Sequence, residues 1–292
     1  MTQPVYDFLV APFADFGFMR RALVGAAALA ASGTPLGLFL ILRRMALSGD
    51  AISHAILPGA ALGYLVAGLS LPAMTLGGLV AGCVVALAAG AVTRVTTLRE
   101  DASLAAFYLT SLALGVTLVS LRGSNVDLLH ILFGNVLALD DAALVLLAAI
   151  ASVTLLGFAV LYRALVIETL DPSFLLVRGR AAALTQGAFF ALVTLNLVGG
   201  FYALGTLMAV GLMMLPAAAA RLWTHSLDRI LALGAGFGVA SAWLGLSLSF
   251  RFGLPAGPAI VLCAGGFYLV SVLFGPAGGL VRLAPRRRHL EA

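Results

Sequence analysis

The chain contains no lysine; all 17 of its Lys-plus-Arg positions are Arg. A phosphate-binding P-loop requires Gly-Lys-Ser/Thr, so this polypeptide does not hold ATP in that way, and a Lys Schiff base is excluded as well. If ATP drives a process here, another chain binds it. Charge of either sign is scarce. Only 10% of the residues are charged and 62% are hydrophobic, with a mean hydropathy of +1.11. A soluble domain carries about 25% charged residues. Cysteine is nearly absent. Cys83 and Cys263 fall in apolar runs and form no CxxC, so they read as small buried hydrophobes rather than a disulfide or metal pair. The first residues, with Asp7 and Asp15, lack a basic n-region, so no cleavable signal peptide is expected. The net charge is +5, but the Arg residues are dispersed rather than gathered in a stripe, and no nucleic-acid partner is expected.

What is present is long apolar sequence. Nine segments can be drawn, at 22–42, 51–69, 72–92, 102–121, 142–162, 181–198, 201–220, 230–249 and 258–274. Runs near 20 residues suit membrane helices, whereas a barrel would show short alternating segments. The class is an all-α polytopic membrane protein of eight to nine transmembrane helices, forming a single transmembrane domain over 1–292. A tenth apolar piece, 131–139, is too short to cross and suits a re-entrant or interfacial helix. Arg placement sets the orientation. With the N-terminus outside and the spans alternating, only Arg20, Arg21, Arg122 and Arg251 lie outside, and the other 13 Arg lie in the cytoplasm with the C-terminus. The weakest point of this alternation is the turn expected at Gly199-Gly200. The longest inner loop is 163–180, and a basic tail at 281–292 would anchor at anionic lipid.

Ionisable residues beside an apolar segment carry the chemistry. Asp50 and His54 stand in Ser48-Gly49-Asp50-Ala51-Ile52-Ser53-His54. Four residues apart, they share one helix face, about 6 Å apart along its axis. Asp50 follows Ser48-Gly49 at the mouth of the segment, where a helix cap is also expected. His54 lies one turn deeper, and the two together suit a polar path. Asp plus His fits zinc, manganese or ferrous iron without choosing among them. Two ligands do not complete a tight site, and an ion in transit must leave again. A second cluster is Asp127 and His130, followed by Asp140 and Asp141; it is expected outside, to receive a cation or contact a partner, or simply as a solvated loop. Met208, Met213 and Met214 read as packing residues. A serine hydrolase built on Ser53 and His54 is rejected, because adjacent helical residues point about 100° apart.

The stretch from Gly37 to Gly59 resembles the signature of the ABC-3 family, the membrane permeases of bacterial zinc, manganese and iron ABC importers. Val126 to Leu137, Gly205 to Arg221 and Pro255-Ala256-Gly257-Pro258 match in the family's order. The resemblance implies a fold like the type II importers and a multi-pass protein of the bacterial inner membrane. It implies a homodimer, a cytoplasmic ATPase dimer and an extracytoplasmic metal-binding protein as partners, with membrane lipid around them. No resident cofactor is implied; the divalent metal is cargo, and overall similarity leans to zinc. Asp50 and His54 match positions proposed to contact the metal in transit. Asp171, Pro172 and Gly179 match the region that couples to the ATPase, although Leu175-Leu176-Val177-Arg178 departs from the commoner Ala-rich pattern there. The permease would not itself be an enzyme. A stand-alone, ion-coupled metal transporter without an ATPase is the alternative, and no inverted repeat is visible to favour it.

Overall fold

The computed structural model describes residues 6, 8–68, 70–96, 100–121, 137, 139–170 and 180–280. Their regular structure is helical apart from one short 3-10 position, in the order α1 (Ala11–Asp15), α2 (Gly17–Leu42), α3 (Ala46–Ala55), α4 (Leu57–Ala67), α5 (Leu71–Val95), α6 (Glu100–Leu121), α7 (Asp141–Leu170), α8 (Arg180–Leu204), α9 (Thr206–Arg221), α10 (Leu227–Phe252) and α11 (Ala256–Phe274). The nine apolar segments fall on these helices, the second on the α3–α4 pair and the seventh across the end of α8 and α9. Seven stretches are long and apolar enough to cross a membrane among the described residues, with α3–α4 counted as one. The apolar parts of α6 and α9 are shorter.

Local chemistry explains the breaks. Pro58 and Pro72 sit in the first turns of α4 and α5, where a missing N–H costs nothing. Gly253 ends α10 in the left-handed region at φ 65°. The end of α2 has the same geometry without a glycine: Arg44 has φ 61°. The Met45 N–H donates to the Leu40 carbonyl and the Arg44 N–H to the Ile41 carbonyl, which is a Schellman turn. An Arg in that region costs about 1–2 kcal/mol, and the surrounding contacts must offset it.

Two expectations change. Gly199-Gly200 is not a turn. The helix runs through both to Leu204, and the break comes at Gly205, with φ 90°. The two glycines serve close packing instead. A Cβ at Gly199 would lie 2.8 Å from Ile150, and one at Gly200 would lie 2.6 Å from Ala209. Residues 163–170, assigned from the sequence to an inner loop, continue α7 as helix. Leu165 there is fully buried, and Glu168 pairs with Arg43.

The core is centred on α2, which packs against α7, α8, α9 and α10. Every residue from Ser32 to Leu40 is buried. Phe39 meets Phe158 and Tyr162 of α7 edge-on, at 5.5 and 6.4 Å between ring centroids. Where the surroundings are as apolar as the side chains, tight packing rather than water exclusion holds helices together. Small residues make that possible. A Cβ at Gly37 would overlap the Met213 carbonyl of α9, and Gly59 of α4 meets Gly77 of α5 backbone to backbone. By contrast, α7 and α11 bury only 28% of their apolar windows and present exposed Val and Leu outward.

Polar contacts sort the helix ends. Arg21 pairs with Asp141 at 2.9 Å, so α2 and α7 start at one end of the molecule. Arg43 pairs with Glu168, and the Tyr162 hydroxyl donates to Asp228, so α2 and α7 finish where α10 begins.

Candidate functional site

Asp50 and His54 lie together on α3. The Asp50 Oδ1 is 3.7 Å from the His54 Nε2. That is too long for a hydrogen bond. With each ligand atom about 2.1 Å from one ion, it corresponds to an angle of about 120° at that ion. The Asp50 side chain is 59% exposed and that of His54 26%. The imidazole stacks on the Tyr108 ring of α6, with centroids 6.1 Å apart and planes 30° apart. Its Nδ1 is buried without a hydrogen-bond partner among the described residues. The Nε2 edge is therefore the one offered to the opening.

The cap expected at Asp50 is not made. Helix α3 starts at Ala46, four residues earlier, and its N-cap position is Met45. Asp50 sits inside the helix with its carboxylate free to face outward. The reversal at Arg43-Arg44-Met45 folds α3 back alongside the rest of the molecule. A Cβ at Gly49 would meet the methyl ends of both Met213 and Met214. Asp50 and His54 line a cavity of about 470 Å³ with Thr206, Val210, Gly211 and Met214 of α9 and Val261 of α11. Met214 stands seven residues, about 10 Å, from the α9 end at Arg221. The residue before Asp50 thus lies beside the middle of α9, and the cavity runs from there to the first residue of α9, Thr206.

The α9 wall escaped the sequence reading. Thr206, Val210 and Met214 recur every four residues, which is one helix face. Met208 and Met213 are buried as expected of packing residues, but Met214 is half-buried and lines the cavity. The signal was present in that spacing, yet it is indistinguishable from an ordinary apolar stripe. Ser53 donates its hydroxyl to the Asp50 backbone carbonyl at 2.7 Å and so is not aimed at the imidazole.

Other candidates separate from this pair. Asp140 accepts the Ala143 N–H at the start of α7, and Asp141 pairs with Arg21. Asp127, His130, Asp171, Pro172, Gly179, most of 131–139 and the tail at 281–292 lie outside the described residues. Cys83 and Cys263 are free and half-buried. No cluster of three or more His, Cys, Asp or Glu that could hold a metal ion occurs among the described residues. A larger cleft, about 540 Å³ between α4, α5 and α6, has no ionisable group in its lining. Its polar side chains are the two hydroxyls of Thr110 and Ser111.

The chain's residues 15–275 match the family model described as the ABC 3 transport family. It is 33% identical over 267 residues to the manganese transport system membrane protein MntC of Listeria innocua, covering 91% of this chain and 94% of the relative. It is 32% identical over 278 residues to the manganese import system permease protein ScaB of Streptococcus gordonii, covering 95% of each. Among solved structures, PsaBC from Streptococcus pneumoniae in complex with Fab superposes with a TM-score of 0.83 at 31% identity, covering 96% of this chain and 100% of that one.

Proposed function

This chain belongs to the ABC 3 transport family, and we propose that it is the permease through which an ATP-driven importer moves manganese into the cell. It is a multi-pass permease of the ABC metal-importer class, a transport subunit rather than an enzyme. The choice of manganese rests on the two relatives named above, both manganese systems over nine-tenths or more of this chain. They give no support to zinc, towards which the sequence leaned. The family match also speaks against a stand-alone transporter.

The observation that carries the site is the Asp50–His54 pair. A carboxylate and an imidazole open from mid-helix depth into one cavity. A charged side chain exposed at such a depth is costly in lipid and marks an ion path. The pair contacts the cation as it sheds water and passes. Manganese favours six ligands, largely oxygen, and one chain supplies a carboxylate and an imidazole. A second copy across a two-fold axis would cover the exposed Asp50 and bring a second pair to the same path. The homodimer is thus part of the reading.

The remaining assignments follow the same logic. Eight to nine crossings, with the N-terminus outside and the C-terminus cytoplasmic in the bacterial inner membrane, agree with the Arg distribution and with the way Arg21–Asp141 and Arg43–Glu168 sort the helix ends. A cytoplasmic ATPase dimer supplies the energy, and the absence of lysine supports its being a separate chain. Asp171, Pro172 and Gly179 form its contact. An extracytoplasmic metal-binding protein delivers the ion on the side of Asp127 and His130.

The test is manganese uptake by the full transporter reconstituted in vesicles, with ATP inside or absent. ATP-dependent uptake that is lost in Asp50→Ala and His54→Ala, with the complex still assembled, is expected. Normal uptake by both variants would overturn the site.

A further inference from the structure

One ion pair in this chain is unlike the others. Arg43 stands in the turn between α2 and α3, and its Nη2 donates to the Glu168 Oε2 of α7 at 2.7 Å. The two side chains are only 10% and 19% exposed. The guanidinium also lies over the Phe189 ring of α8, with Cζ 4.9 Å from the ring centroid. One residue thus joins the turn, α7 and α8. A buried charge pair is an expensive way to hold helices together, since apolar side chains of the same volume often do so at least as well. What it provides is direction and the ability to break and re-form. The Arg43 Nε–H is buried with no partner among the described residues. This arrangement carries that cost, and another arrangement of the turn could relieve it.

The location gives the pair its consequence. The next residue, Arg44, holds the left-handed conformation that sends α3 back towards mid-depth. Asp50 and His54 follow within ten residues, on a helix with no other turn between. We propose that Arg43 and Glu168 are positioning residues for metal passage: their ion pair ties the turn that launches the site helix to the end of α7, and it passes movement of that end to Asp50 and His54. This rests on the permease reading above, with the ATPase acting at the cytoplasmic face.

The experiment uses the full transporter, with its ATPase and binding protein, in vesicles. Manganese imported and ATP hydrolysed are counted together for the wild type, Glu168→Gln and the exchanged pair Arg43→Glu with Glu168→Arg. Glu168→Gln keeps the shape and removes the charge. Metal moved per ATP is expected to fall about tenfold in Glu168→Gln, a coupling change of ordinary size for a residue linking two sites. ATP hydrolysis by the assembled complex should stay near wild type, whereas its Tm should fall, because the buried guanidinium loses its charged partner. The exchanged pair should recover part of the lost ratio. A ratio equal to wild type in Glu168→Gln overturns the proposal. So does a parallel loss of hydrolysis and uptake, which marks a merely structural contact. If Glu168→Gln fails to assemble, Arg43→Lys keeps the charge without the fork and is judged by the same ratio. Failure of the wild type itself to import manganese with ATP would instead sink the permease reading.

Discussion

Two acid–base pairs flank the turn that starts α3, and they are built in opposite ways. Arg43–Glu168 is closed at 2.7 Å, shielded from solvent and covered by an aromatic ring. Asp50–His54 is open at 3.7 Å, with its carboxylate more than half exposed. Neither contrast follows from composition, since each pair is one carboxylate and one basic side chain. The difference is in what finishes the coordination. The first pair completes itself within the chain. The second leaves the His54 Nδ1 without a hydrogen-bond partner among the described residues and holds its Nε2 3.7 Å from the Asp50 carboxylate, too far for a hydrogen bond. On the permease reading proposed above, a contact that holds is closed, and a contact that accepts and releases an ion is left incomplete.

Breaking the open pair should have the largest effect. Asp50→Ala or His54→Ala removes a donor that no neighbouring group replaces. Manganese uptake should fall by more than the roughly 10–100-fold typical of losing a supporting partner around a metal, with assembly unchanged by size-exclusion chromatography. The next effect concerns the closed interior. Gly37→Ala would push a methyl into the Met213 carbonyl and should destabilise the protein by about 1–3 kcal/mol, seen as a lower Tm in detergent. Its control is Gly265→Ala on α11. A Cβ there meets nothing within 4 Å, so stability should be unchanged or rise by up to about 1 kcal/mol.

Tyr108 of α6 stacks on the imidazole of the open pair without being a ligand. Tyr108→Ala frees the imidazole to rotate, and uptake at low manganese should drop by roughly tenfold, the lower range for a supporting group. Tyr108→Phe keeps the ring and should stay near wild type. The smallest effect sharpens the same boundary. Ser53 is beside His54 in sequence but hydrogen-bonded to backbone, so Ser53→Ala should leave uptake unchanged. A large loss there would mean that the path extends to a residue assigned here to the helix itself.

The helices were legible because an apolar run near 20 residues has few other solutions. The pair was legible because four-residue spacing sets a common face. The errors came from residues with two physical uses. Gly199-Gly200 has the composition of a turn, but the glycines let Ile150, Ala209 and Leu29 approach. Asp50 has the position of a cap when the helix is taken to start at the apolar run. The actual start is fixed by Arg44, which adopts a glycine's conformation without being glycine. The Arg43–Glu168 contact joins residues 125 apart, and nothing local announces it. The α9 wall of the cavity is composed like any packing stripe, and only α3 folding back against it gives it a role.

On the proposed path the cation touches His54 and Asp50 on its way through. Electron paramagnetic resonance of manganese trapped in the assembled transporter, with the ATPase arrested by vanadate, addresses it directly. A nitrogen hyperfine coupling from imidazole is expected in the wild type and should disappear in His54→Gln. A wild-type ion with no nitrogen coupling, or a coupling that persists in His54→Gln, would contradict it.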